Sequence, residues 1–62
     1  MKTNKENLKT LLSSHEAGIK IYTEHAKFWL ERGMFSKARY FEEVAADYKE
    51  KAEAVKKEIA NV

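Results

Sequence analysis

At 62 residues the chain has room for one domain, and a fold this small hides only about 60% of the surface its unfolded chain exposes. No cysteine is present, which excludes a disulfide framework, and two histidines without a thiolate argue against structural zinc, so oligomerisation is the open route to more buried area. Twelve basic residues interspersed with ten acidic ones leave a net charge of +2, too small by itself to imply a nucleic acid, and no apolar run reaches the roughly 18 residues of a membrane span.

The residues from Met1 to Asn7 lead into no signal-peptide core, and with the lack of cysteine they predict a cytoplasmic protein without a membrane partner. A first helix is expected over residues 4–32. Thr3 followed by Glu6 fits a capping box, in which hydroxyl and carboxylate satisfy backbone donors reciprocally. At about 100° per residue, Leu8, Leu11, Leu12, His15, Ile19, Tyr22, Ala26, Trp29 and Leu30 share one broad stripe. Lys9, Glu16, Lys20, Thr23, Lys27 and Glu31 fall on another side, with Glu16 and Lys20, and Lys27 and Glu31, at helical pair spacing. Ser13 and Ser14 with Glu16 and Gly18 have the composition of a second cap, but the apolar register runs through them and favours one uninterrupted helix.

Ala17, Ile21 and Phe28 form a second apolar strip away from the first. A helix in a lone hairpin has one partner and needs one stripe. Two stripes imply a second partner, a copy of the chain or another protein. The candidates for such an interface are Ile21, Phe28 and Trp29, together with His15 and Tyr22 from the main stripe.

Gly33 is the one strong breaker between the two periodic stretches, in a chain without proline, and it places a turn at residues 33–35. A second helix is expected over residues 36–60. Ser36 reads as its N-cap, with Phe35 and Tyr40 as the flanking hydrophobic staple. Phe41, Val44, Ala45, Tyr48, Ala52, Val55, Ile59 and Val62 recur along one face, and Glu53 stands four before Lys57 in the favourable charge order. The whole reads as an all-α antiparallel helical hairpin, and two such hairpins side by side make a homodimeric four-helix bundle.

Tyr22, Ala26, Trp29, Gly33, Phe35, Ala38 and Ala45 stand at the offsets of aromatic, small and turn positions in a tetratricopeptide repeat. Residues 19–50 therefore resemble one such repeat, a helix–turn–helix unit used in protein recognition. His25 stands where that pattern has a leucine, Glu42 where it has an aromatic, and no proline closes the unit. The chain as a whole, short, rich in lysine and glutamate and free of proline and cysteine, resembles small accessory proteins of lambdoid-phage early regions and plasmid-encoded hairpin regulators. That resemblance implies a homodimer that modulates host or phage development.

No catalytic constellation emerges. His15 and His25 lack the three- or four-residue spacing of a helical metal pair, and no Glu-x-x-His occurs. Ser13, Ser14 and His15 are adjacent on a helix, which gives no nucleophile–base geometry, and Gly18 and Gly33 are too isolated for a phosphate loop. No enzyme, cofactor or metal is expected. The densest functional pattern is at the turn, where Arg32, Lys37 and Arg39 interleave with Trp29, Phe35 and Tyr40. Arg32 in the last turn of helix one suits the helix dipole, whereas Lys37 and Arg39 in the first turn of helix two oppose theirs. Cations among aromatics are what single-stranded nucleic acid or an acidic partner binds. The expected role is a non-catalytic protein-interaction or regulatory module acting as a hairpin homo-oligomer; the alternative is a nucleic-acid-binding hairpin dimer using Arg32, Lys37 and Arg39.

Overall fold

The computed structural model describes residues 5–61, which form two helices, α1 (Lys5–Glu31) and α2 (Phe35–Ala60), packed antiparallel as a hairpin. Thr3, Asn4 and Val62, read from the sequence as a cap, a first helical residue and a core position, lie outside the described residues. No break interrupts α1 at Ser13–Gly18, so the continuous apolar register prevails there over local capping composition.

The reversal is a Schellman closure. Gly33 has φ +78°, its amide donates to the Leu30 carbonyl at 3.0 Å, and the Met34 amide donates to the Trp29 carbonyl at 2.9 Å. The Leu30 carbonyl is satisfied in this way, and the Trp29 carbonyl, which also accepts from the Arg32 amide at 3.1 Å, gains a second donor. Met34 then serves at once as the first residue beyond the closure and as the N-cap of α2, its carbonyl accepting from the Ala38 amide at 3.0 Å.

The sequence reading of this junction needs correction. Ser36 is not the N-cap: α2 begins one residue earlier, at Phe35, and no side chain caps it. With Met34 as cap, Phe35 and Tyr40 no longer hold staple positions, and they are 69% and 61% exposed. Arg32 lies in the turn just past Glu31, outside the last turn of α1. Among the described residues, Glu53 pairs with Lys56 at 3.8 Å, three residues on, in place of Lys57.

Small residues make the centre of the hairpin. Among the described residues the buried apolar ones are Leu8, Ala26, Ala38, Ala45, Ala52 and Val55, four of the six being alanine, and Gly18 is buried with them. A Cβ built on Gly18 would stand 3.0 Å from the Tyr48 ring, so glycine is what lets that ring lie against α1. Larger rings alternate between the helices beside this small-residue line. Tyr48 stacks on Tyr22 with centroids 5.6 Å apart, Tyr22 on Phe41 at 6.0 Å, and Phe41 on His25 at 5.2 Å. His15 extends the ladder beyond Tyr48, at 6.0 Å.

The result is a rod of 48 × 15 × 13 Å. Its radius of gyration is 14.4 Å, against about 11 Å for a compact domain of this length.

Candidate functional site

Three surfaces stand out on the rod. The first is a groove of about 420 Å³ along the line where the helices meet. Ile19, Thr23, Ala26 and Leu30 of α1 and Ala45 and Ala46 of α2 line it, with Lys27, Lys49 and Glu42 at its rim. Its floor is the alanine core itself, since Ala26 and Ala45 belong both to the buried centre and to the groove lining. The lining is mostly apolar and its charges lie at the edge.

The second surface belongs to α1 alone. Ile21, Phe28 and Trp29, three of the residues expected at an interface, line one shallow concavity together with Glu24 and His25. Ile21 is 51% exposed and Phe28 45%, so the second apolar strip does lie away from α2. His15 and Tyr22 are placed elsewhere. Both are half-buried, and their rings pack on Tyr48 within the hairpin.

The third surface is the pole at the turn. The Arg32 guanidinium sits over the Phe28 ring at 4.3 Å, and the Lys37 ammonium over the Trp29 ring at the same distance. Phe28 and Trp29 meet edge to face at 4.9 Å, which joins the two cations and two rings into one cluster. The cluster explains why Lys37 stands in the first turn of α2 against the helix dipole, because its attraction to the indole face of α1 compensates. Arg39, grouped with Arg32 and Lys37 by the sequence, is exposed, and no described contact ties it to the cluster.

Sequence reasoning missed two participants. Gly18, read as a cap candidate, is a contact point for Tyr48, and only the pairing of the two helices reveals it. The groove was also missed, because Ala45 and Ala46 are adjacent on α2 and Ile19 and Thr23 carry different chemistry on α1. Their small size beside the expected core was the available signal. Among the described residues, no three His, Asp or Glu side chains gather in a way that would hold a metal ion. No described helix is long and apolar enough to cross a membrane. Comparison with protein-family models, curated proteins and solved structures gives no match to this chain.

Proposed function

We propose that the protein is a non-catalytic interaction module, regulatory in role, that works as a homodimer in which a second hairpin closes the groove between α1 and α2. The observation that carries this reading is the core one hairpin makes for itself. Four alanines, one leucine and one valine are buried, and no large side chain is fully enclosed among the described residues. A compact monomer of 7.2 kDa exposes about 4,100 Å². This one exposes 4919 Å². The excess of about 800 Å² matches what one partner contributes to a stable protein interface.

The groove is a better seam than the strip of Ile21 and Phe28. It runs over both helices, so a second hairpin laid there extends the existing core into a four-helix bundle. The Ile21 concavity is lined by α1 alone, so a partner seated there would cover one helix and leave the alanine floor open. Thr23, Ala26, Ala45 and Ala46 allow the close approach that bundle packing requires. The rim carries both signs, in Lys27, Lys49 and Glu42, so two copies can meet with opposite charges in reach.

Ala46→Glu tests the assignment, because Ala46 is exposed in the single hairpin and a carboxylate there leaves its fold intact. The expected outcome is a helical monomer from Ala46→Glu and an unchanged dimer from Ile21→Glu, read by native mass and far-ultraviolet circular dichroism. A dimer that survives Ala46→Glu and dissociates with Ile21→Glu would move the seam to the outer face of α1. A native chain that is monomeric throughout would end the reading.

A further inference from the structure

The flank of α2 beside the groove carries a charge pattern that reverses about its own centre. Arg39, Glu42, Ala46, Lys49 and Glu53 recur at spacings of three and four, so at about 100° per residue they share one strip roughly 80° wide. All five are exposed, and Glu42, Ala46 and Lys49 also line the groove. From Ala46 toward the turn the signs run negative then positive; toward the chain ends they run positive then negative. Turning the strip end for end therefore exchanges every charge for its opposite. The ion pair described within the hairpin joins Glu53 to Lys56 at 3.8 Å and leaves Arg39, Glu42 and Lys49 uncommitted.

We propose that the second hairpin lies antiparallel to the first, its α2 meeting α2 at Ala46 on a two-fold axis. This orientation rests on the self-association reading and specifies its seam.

Charge separates the possible arrangements. With the axis at Ala46, Arg39 comes level with the partner's Glu53 and Glu42 with the partner's Lys49, each to within about one residue's rise of 1.5 Å. Two-fold symmetry forms each pair twice, on either side of a small centre. Glu43 and Glu50, at the outer edge of the strip, come level with the partner's Lys49 and the partner's Glu42 and offset each other. Two α2 helices laid parallel would instead set all four charges of the strip against their own copies. Within the hairpin Gly18 lies against Tyr48 and His25 against Phe41, which fixes the relative heights of the two helices. By those heights, α2 laid on the partner's α1 with both turns at one end would match Lys49 with the partner's Glu16 but oppose Arg39 to the partner's Lys27.

The apolar groups agree with the same axis. Ile19 stands within about one residue of the height of Ala46, so the axis passes between two residues that line the groove. Leu12 shares the groove side of α1 with Ile19 and Leu30 and is half-buried in the single hairpin. The antiparallel register brings the partner's Leu12 over the stretch between Ala26 and Leu30, where a leucine enters the groove above its alanine floor.

The chain has no cysteine, so one label site can be introduced cleanly. Phe35→Cys, at a position 69% exposed beside the turn, is spin-labelled, and the distance between labels is measured in the species whose native mass is that of a dimer. Phe35 and Ala46 are about 16 Å apart along α2, so antiparallel copies hold the labels about 33 Å apart, whereas parallel copies keep them within about 20 Å. Glu42→Lys and Lys49→Glu should each weaken the dimer by about tenfold or more. An equimolar mixture of the two variants should regain near-native affinity, because the mixed dimer restores both pairs. Both positions are exposed, so circular dichroism should show helicity unchanged. Labels within about 20 Å in a chain of dimeric mass, or a mixture no tighter than either variant alone, would overturn the orientation and leave self-association standing. A monomeric mass would end both readings.

Discussion

At Gly33 an added Cβ would meet nothing within 4 Å, so any cost of a side chain there belongs to the backbone alone. With φ +78°, Gly33→Ala should lose about 1–2 kcal/mol in urea unfolding, the penalty of the left-handed region, and Gly33→Asn should lose less. Gly18 is constrained by its neighbour instead. Alanine there gains up to about 1 kcal/mol of helix propensity but pushes its methyl to 3.0 Å from Tyr48. That ring is held between Tyr22 and His15 and has little room to yield. Gly18→Ala should therefore destabilise the native chain, and in a Tyr48→Ala background the same change should stabilise it, a reversal that denaturant midpoints would report. Gly33 was legible in the sequence because a breaker between two periodic stretches acts locally. Gly18 was not, because its reason lies on the other helix.

The two helices followed from periodicity, and on α2 Phe41, Val44, Ala45, Tyr48, Ala52, Val55 and Ile59 are all buried or half-buried as expected, whereas on α1 Leu11 and Leu30, read on the main stripe, are 44% and 46% exposed because α2 covers a narrower face than the stripe. The ends of α2 were harder to read. Ser36 has capping chemistry, but the Schellman bonds at Gly33 fix Met34 as the cap whatever its side chain offers. The interleaving of rings was also hidden, since the stagger between helices is set by the turn and periodicity shows only which residues share a face. His25 illustrates the gap: it is exposed and yet stacks on Phe41. Tyr22 lies between Tyr48 and Phe41 in this ladder, with both rings nearly parallel to its own. Tyr22→Ala should cost about 2–3 kcal/mol, less than a fully buried ring because Tyr22 is half-buried, whereas Tyr22→Phe should stay within about 1 kcal/mol. Thermal unfolding of the two variants beside the native chain measures the difference.

At the scale of the molecule, the two apolar strips and the short length of the sequence raise the expectation that one hairpin needs a partner to complete its core. The surface proposed to complete it rests on three-dimensional detail, namely small residues from both helices meeting along one line. The outer strip of Ile21 and Phe28 was legible as exposed, and the groove was not, because alanines carry little weight in a hydrophobic pattern even where they shape the surface. The cations at the turn were legible as a cluster with aromatics, but their seating on Phe28 and Trp29 depends on the contact between α1 and α2 across the turn. The account rests most on the claim that two hairpins share a core. Sedimentation equilibrium over a hundredfold range of concentration tests it directly. A mass of twice 7.2 kDa, with a melting temperature that rises with concentration, is the predicted result. A mass of 7.2 kDa at every concentration, with melting independent of concentration, would contradict it.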